Sequence, residues 1–300
     1  MMVSRPQEPT PPFSYLSEDV TLLNVDAGVR LAGTLTRPES ADVAAAILLV
    51  PGSGAQDRDE ALCGHRPFLV LADHLTRCGL AVLRLDDRGV GESTGEKDEC
   101  THEGLLTDVR TALDFLYRHH ALDPARVGLI GHSEGACLAA AVAARFPDIA
   151  FVVLMACGAG LGEQIIHEQS ALIARAAGAT PEQIDHERRM NEAVFAILRS
   201  PLDRAAAGAA IRPIFVEFLK NWPDQPTLSS AKVEEHVERM VDIVLARAFR
   251  FFLTCDISAY LRQVHCPVLA MYGELDLQVP PGPNTTVGAP DLRRIRAGST

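Results

Sequence analysis

No histidine follows His265, the last of ten in this 300-residue chain. Any site that draws on the C-terminal stretch therefore lacks an imidazole, the side chain best suited to shuttle protons near neutral pH. Other absences narrow the class. No run approaches the ~20 apolar residues that span a bilayer, so no membrane span is expected. Met1 to Pro12 is polar and proline-rich, with no signal-peptide core. There is no C-x-x-C pair. The seven cysteines, Cys63, Cys78, Cys100, Cys137, Cys157, Cys255 and Cys266, are scattered and odd in number. They point to reduced thiols and a cytoplasmic setting, with Cys137 and Cys157 as small core residues. Positive charge is also short: 28 Lys and Arg against 39 Asp and Glu leave a net charge of −11. That argues against nucleic acid or an anionic membrane as partner. No spacing matches H-E-x-x-H or another metal motif, so no metal and no cofactor is expected. No internal repeat or low-complexity tract is found.

What is present is a large apolar fraction, 47%, in alternating strand and helix patterns. Val20 to Thr36 reads as a hairpin around Asp26-Ala27-Gly28. Val43 to Val50 is a continuous apolar run, the mark of a strand buried on both faces. A helix is expected from Pro67 to Cys78, stopped by Gly79. Leu80 to Leu85, Val127 to Ile130, Ala150 to Met155 and Pro267 to Tyr272 read as further strands. Leu105, Leu106, Val109, Leu113, Leu116 and Tyr117 give the period of an amphipathic helix. Strands alternating with helices predict an α/β fold with a mostly parallel sheet and right-handed crossovers. Between Gly162 and Arg262 the strands stop and the pattern is helical. Thr180-Pro181-Glu182-Gln183 has the form of a capping box, and Val233, Val237, Met240, Val241, Val244 and Leu245 form an apolar stripe. An insertion between two sheet strands lies at their C-terminal ends, over the place where open α/β sheets bind ligands.

The strongest motif is Gly131-His132-Ser133-Glu134-Gly135, a G-x-S-x-G directly after an apolar strand and before a helix of small residues. That context distinguishes a nucleophile elbow from a chance match. Gly131 and Gly135 let backbones pass where a Cβ would clash, and Ser133 stands exposed at the positive end of a helix. The hydroxyl is expected to face a pocket beneath the helical segment. The competing reading is an ordinary N-cap serine. Acyl transfer also needs donors for a developing oxyanion. Candidates are the N–H of Glu134 and that of Ser53 in Pro51-Gly52-Ser53-Gly54, where Gly52 and Gly54 keep the backbone open; a plain turn is the alternative. Asp276, in Gly273-Glu274-Leu275-Asp276 after the last apolar strand, is the candidate orienting acid, with Glu274 as its rival.

These motifs together resemble the α/β-hydrolase superfamily, and within it bacterial capped serine esterases of the carboxylesterase and serine aminopeptidase-like kind. Pro51 to Glu60, Leu83 to Ser93, Gly131 to Gly135, and Cys266 to Pro280 carry the resemblance. It implies an α/β-hydrolase core over 20–160 and 263–281 and a helical cap over 161–262. A polar N-terminal extension, 1–19, and an irregular tail, 282–300, complete the expected layout. It further implies hydrolysis of a small acyl ester through an acyl-enzyme at Ser133. The family would continue with a helix, a strand and a loop bearing the base histidine. Here Gly282 to Thr300 has no strand period and no histidine, so the last helix and strand are expected to be missing and the activity impaired. A non-catalytic protein binding a ligand or partner, and an acyltransferase, remain open. His132 is expected to point away from the elbow, and His65 is the one distant histidine that could approach. His102 is placed on a surface helix, His167, His186 and His236 in solvent, and Asp86 and Asp87 around Arg88.

Overall fold

The computed structural model describes residues 5–40, 43–96, 100–222 and 229–284. The chain opens with β1 (Leu16–Asn24) and β2 (Val29–Arg37), antiparallel in the register Leu16 to Arg37 and Asn24 to Val29. This is the expected hairpin, begun four residues before Val20, inside what reads in sequence as a polar extension. Gly28 closes the turn at φ +64°. Next come β3 (Ala46–Val50), α1 (Pro67–Arg77), β4 (Ala81–Leu85) and α2 (His102–Arg118). Then β5 (Val127–His132), α3 (Glu134–Arg145) and β6 (Val152–Met155) lead to the long helical segment. After it, β7 (Val268–Met271) completes the seven-stranded sheet and α10 (Pro281–Asn284) follows.

Strand order is β1-β2-β4-β3-β5-β6-β7. The pairs from β4 through β7 are parallel and β2 joins β4 antiparallel. All five residues of β3 are buried, as expected of a central strand covered on both faces. Alternation assigns its two sides. Ile47, Leu49, Val82 and Ile130 pack with Phe68 and Ala72 of α1. Leu48, Val50, Leu83 and Leu129 pack with α2 and α3. α2 is capped by Thr101, whose hydroxyl accepts the Gly104 N–H at 3.1 Å. Its expected stripe is buried from Leu105 to Leu116, and Tyr117 is half-buried. α3 is nearly all small residues because it is buried almost all round and lies close over β5 and β6.

Between β6 and β7 the described chain is helical: α4 (Gly162–Ala176), α5 (Pro181–Leu198), α6 (Arg204–Lys220), α7 (Ser230–Leu245), α8 (Arg247–Thr254) and α9 (Ile257–Leu261). Thr180 and Gln183 form the capping box of α5 in full. The α7 stripe meets Val194, Phe195, Ile211 and Phe215, which gives this segment a hydrophobic cluster of its own. α8 and α9 tie it down, α8 against α2 and α9 against α3. Residues 281–284 form a helical turn rather than irregular tail; the rest of the expected tail, 285–300, lies outside the described residues. So does the question of a strand beyond β7.

Candidate active site

Ser133 sits between the end of β5 and the start of α3 with φ +53° and ψ −118°. Few non-glycine residues adopt such a backbone, and holding it costs about 1–3 kcal/mol. Four constraints over-determine it. Its N–H donates to the Met155 carbonyl at 2.9 Å, and its carbonyl accepts from Ala136 at 3.0 Å. A Cβ on Gly131 would stand 2.6 Å from the Ala136 Cα, and one on Gly135 would run into the carbonyls of Val50 and Pro51. Neither glycine can be replaced without moving backbone. Ser133 is the N-cap position of α3, yet its side chain makes no capping hydrogen bond. That speaks against the N-cap reading, in which the hydroxyl would accept from the second or third helical N–H.

The loop after β3 runs beside this turn. The Gly52 N–H donates to Glu60 Oε1 at 2.7 Å, so Ser53 carries the next N–H of the loop. Gly54 adopts φ +90°, a left-handed backbone suited to glycine. Glu134 begins α3, where N–H groups point out along the helix dipole.

The stretch Gln56 to Glu60 braces the loop, a role that sequence reading missed. Gln56 N–H donates to Asp87 Oδ2 at 3.0 Å, and its side chain to the Ser53 carbonyl at 2.8 Å. Asp57 Oδ1 accepts the N–H groups of Asp59 and Ala61 at 3.0 Å. Arg58 forks onto Asp86, at 2.7 and 3.2 Å, and also pairs with Glu92 at 2.7 Å. Asp59 is buried between Arg84 and Arg66, paired with both. Burial pushes the Asp86 carboxyl up, but Arg58 and two backbone N–H groups outweigh it and hold the pKa below its ordinary value. Asp86 and Asp87 thus serve Arg58 and Gln56. Asp86 also holds the loop around Arg88, its Oδ2 accepting the Glu92 N–H at 3.2 Å, while Arg88 itself pairs with Asp108 of α2 at 2.7 and 2.8 Å.

His132 is tied to the loop after β3: its Nδ1 lies 2.7 Å from Glu60 Oε1. That bond raises the imidazole's pKa against the opposing effect of burial, and the charge of Asp276 adds to the rise. The carboxylate of Asp276 is therefore in electrostatic reach of the elbow. Its own hydrogen bonds stay within its loop: Oδ1 accepts from Gln278 at 2.8 Å and Val279 at 3.0 Å. Glu274 is exposed. His65 is at the surface with its ring engaged by Arg5. His102 is buried, not on the surface, with its ring stacked 3.8 Å from that of Phe251. His167 and His186 likewise pack against Phe195 and Phe218. Among the described residues no group of three His, Cys, Asp or Glu could hold a metal ion, and no helix is long and apolar enough to cross a membrane.

A cavity of about 50 Å³ borders the site, lined by Val50, Gly52, Asp86, Leu105, Glu134 and Leu138. It lies against α2, and Ser133 is not among its lining residues.

The chain is similar to known proteins over part of its length. Residues 66–206 match the family described as serine aminopeptidase, S33. An uncharacterized protein of Mycobacterium tuberculosis is 35% identical over 126 residues, 42% of this chain and 41% of that protein. Esterase EstD of Thermotoga maritima is 30% identical over 134 residues, 45% of this chain and 31% of EstD. The chain thus matches well under half the length of these curated relatives. Among solved structures, a hypothetical protein of Pseudomonas aeruginosa has a TM-score of 0.57 at 15% identity, covering 97% of this chain and 88% of that one. The Pyrococcus furiosus esterase Pf2001 has a TM-score of 0.55 at 15% identity, covering 91% and 75%. By sheet order and these likenesses the chain has the α/β-hydrolase fold, and over part of its length it is similar to the serine aminopeptidase family and to the esterase EstD.

Proposed function

We propose that the chain is a serine esterase acting on small acyl esters through an acyl-enzyme at Ser133. The observation that carries this is the strained backbone of Ser133 at φ +53°, kept by two glycines with no room for a Cβ, on a serine that does not cap its helix. The Ser133 Oγ adds to the ester carbonyl carbon and gives up its proton to water, which returns one to the departing alkoxide. The carbonyl oxygen becomes an oxyanion that accepts hydrogen bonds from the N–H groups of Ser53 and Glu134. Collapse expels the alcohol and leaves the acyl group on Oγ. Water then adds to the same carbon and releases the carboxylic acid. Gly52, Gly54, Gly131 and Gly135 shape the backbone of this site. Residues 161–262 act as a cap over it, and Asp276 is the orienting acid. The seven free thiols suit a cytoplasmic setting.

The same reading makes this 300-residue chain a slow enzyme. A serine hydroxyl is a weak nucleophile without a general base, and among the described residues the histidine beside Ser133 is His132, whose Nδ1 is bonded to Glu60. Steady-state hydrolysis of p-nitrophenyl acetate, with Ser133→Ala as control, tests both parts. Weak turnover that disappears in Ser133→Ala is expected. Turnover of several per second lost in Ser133→Ala would contradict the impairment. A rate unchanged in Ser133→Ala would contradict the nucleophile and favour a non-catalytic ligand-binding protein.

A further inference from the structure

We propose that Glu60 is a positioning residue for the oxyanion hole, its carboxylate joining the loop after β3 to the strand that delivers Ser133. The inference rests on the reading of Ser133 as nucleophile. One oxygen, Oε1, accepts from the Gly52 N–H at 2.7 Å and faces His132 Nδ1 at 2.7 Å. Gly52 immediately precedes Ser53, and His132 immediately precedes Ser133. The two proposed oxyanion donors, Ser53 and Glu134, therefore come from separate crossovers of the sheet whose roots meet on one atom. Gly52 marks the meeting point. A Cβ there would lie 3.2 Å from Glu60 Oε1, 3.3 Å from His132 Nδ1 and 3.4 Å from Ser133 Cβ.

The carboxylate is built in rather than incidental. Glu60 is 6% exposed, and its backbone holds φ +52°, a conformation unusual for a glutamate. It is fixed on the chain side by its N–H to the Asp57 carbonyl at 3.0 Å and by the ion pairs of neighbouring Asp59 with Arg84 and Arg66. An ionised carboxylate only accepts hydrogen bonds. Facing a carboxylate oxygen, His132 Nδ1 is placed to donate. Oxyanion holes act through donors held in place before reaction, and misplacement by about 1 Å can cost on the order of a hundredfold.

The test is the rate of covalent labelling of the full 300-residue chain by a fluorophosphonate, whose adduct places a phosphoryl oxygen where the oxyanion would sit. Five proteins are compared: wild type, Ser133→Ala, Glu60→Met, His132→Ala and His132→Asn. Glu60→Met keeps length and removes the acceptor; it should slow labelling of Ser133 by about tenfold or more. His132→Ala should slow it too. His132→Asn, whose amide N–H can replace Nδ1–H, should recover most of the rate. Folded Glu60→Met labelling at the wild-type rate would overturn the bracket while leaving the nucleophile intact. If Glu60→Met does not fold, the His132 pair decides, and Asn performing no better than Ala overturns it. Absence of wild-type labelling even after prolonged exposure to excess reagent, or equal labelling of Ser133→Ala, would remove the nucleophile reading and the bracket with it.

Discussion

The two halves of the proposed site are built differently. The elbow is enclosed: Ser133 is pinned by backbone bonds to Met155 and Ala136, by glycines that touch neighbouring backbone, and by a buried β5 and α3. The Asp276 loop hangs from β7, a strand whose residues are half-exposed or exposed, and among the described residues its carboxylate bonds to N–H groups of its own loop. The nucleophile half is prefabricated by the fold. The proposed acid half keeps its shape by itself, and its link to the elbow is the charge that Asp276 exerts on His132. Substitutions should therefore act sharply at the elbow and gently at the acid loop.

The largest expected effect is on catalysis. Ser133→Ala should remove ester hydrolysis down to the background rate, since losing the nucleophile of such a site forfeits the covalent route altogether. Gly135→Ala should come next, acting on the fold. Its Cβ meets two main-chain carbonyls, so backbone must move, at a cost of about 3 kcal/mol or more, in the range reserved for buried steric conflict. Thermal or urea unfolding measures it; a stability within about 0.5 kcal/mol of wild type would break the contrast. Asp276→Asn should be mild. Without an imidazole to orient, the rate should fall less than about tenfold, against the ~10⁴ expected where the acid serves a working histidine. A loss approaching that larger figure would show that Asp276 already orients a base.

The smallest effect probes the joint between α2 and α8. Burial against Phe251 pushes the His102 pKa down from 6.5 to about 4. The unfolded chain takes up the proton first as pH falls. Stability from this group is therefore whole above pH 6.5 and drains away toward pH 4. His102→Phe keeps an aromatic ring for the stack and has no proton to bind. Its melting temperature should fall less than that of wild type across that interval; parallel curves would contradict the burial argument.

Much of this was legible in the sequence, for physical reasons that differ by region. The elbow could be read because strand, turn and helix are consecutive, although the backbone that demands a glycine at 135 comes from Val50 and Pro51 at the end of β3. The helices of 162–262 could be read because their stripes and the Thr180 capping box are local signals. The bracing by Gln56 to Glu60 was not legible. Those residues form a polar run whose partners, Arg84, Asp86, Asp87 and His132, lie on other crossovers, and no periodicity relates them. His102 was misplaced for the same reason: the ring that buries it, Phe251, is far along the chain. The start of β1 at Leu16 was missed because its first four residues are exposed and carry no apolar alternation.

The most direct test of the account is to trap the acyl-enzyme. The chain is mixed briefly with p-nitrophenyl acetate, quenched in acid and mapped by peptide mass spectrometry. One acetyl group on the peptide containing Ser133, absent from Ser133→Ala, is the predicted result. Acetylation confined to other side chains, or found equally in Ser133→Ala, would contradict it.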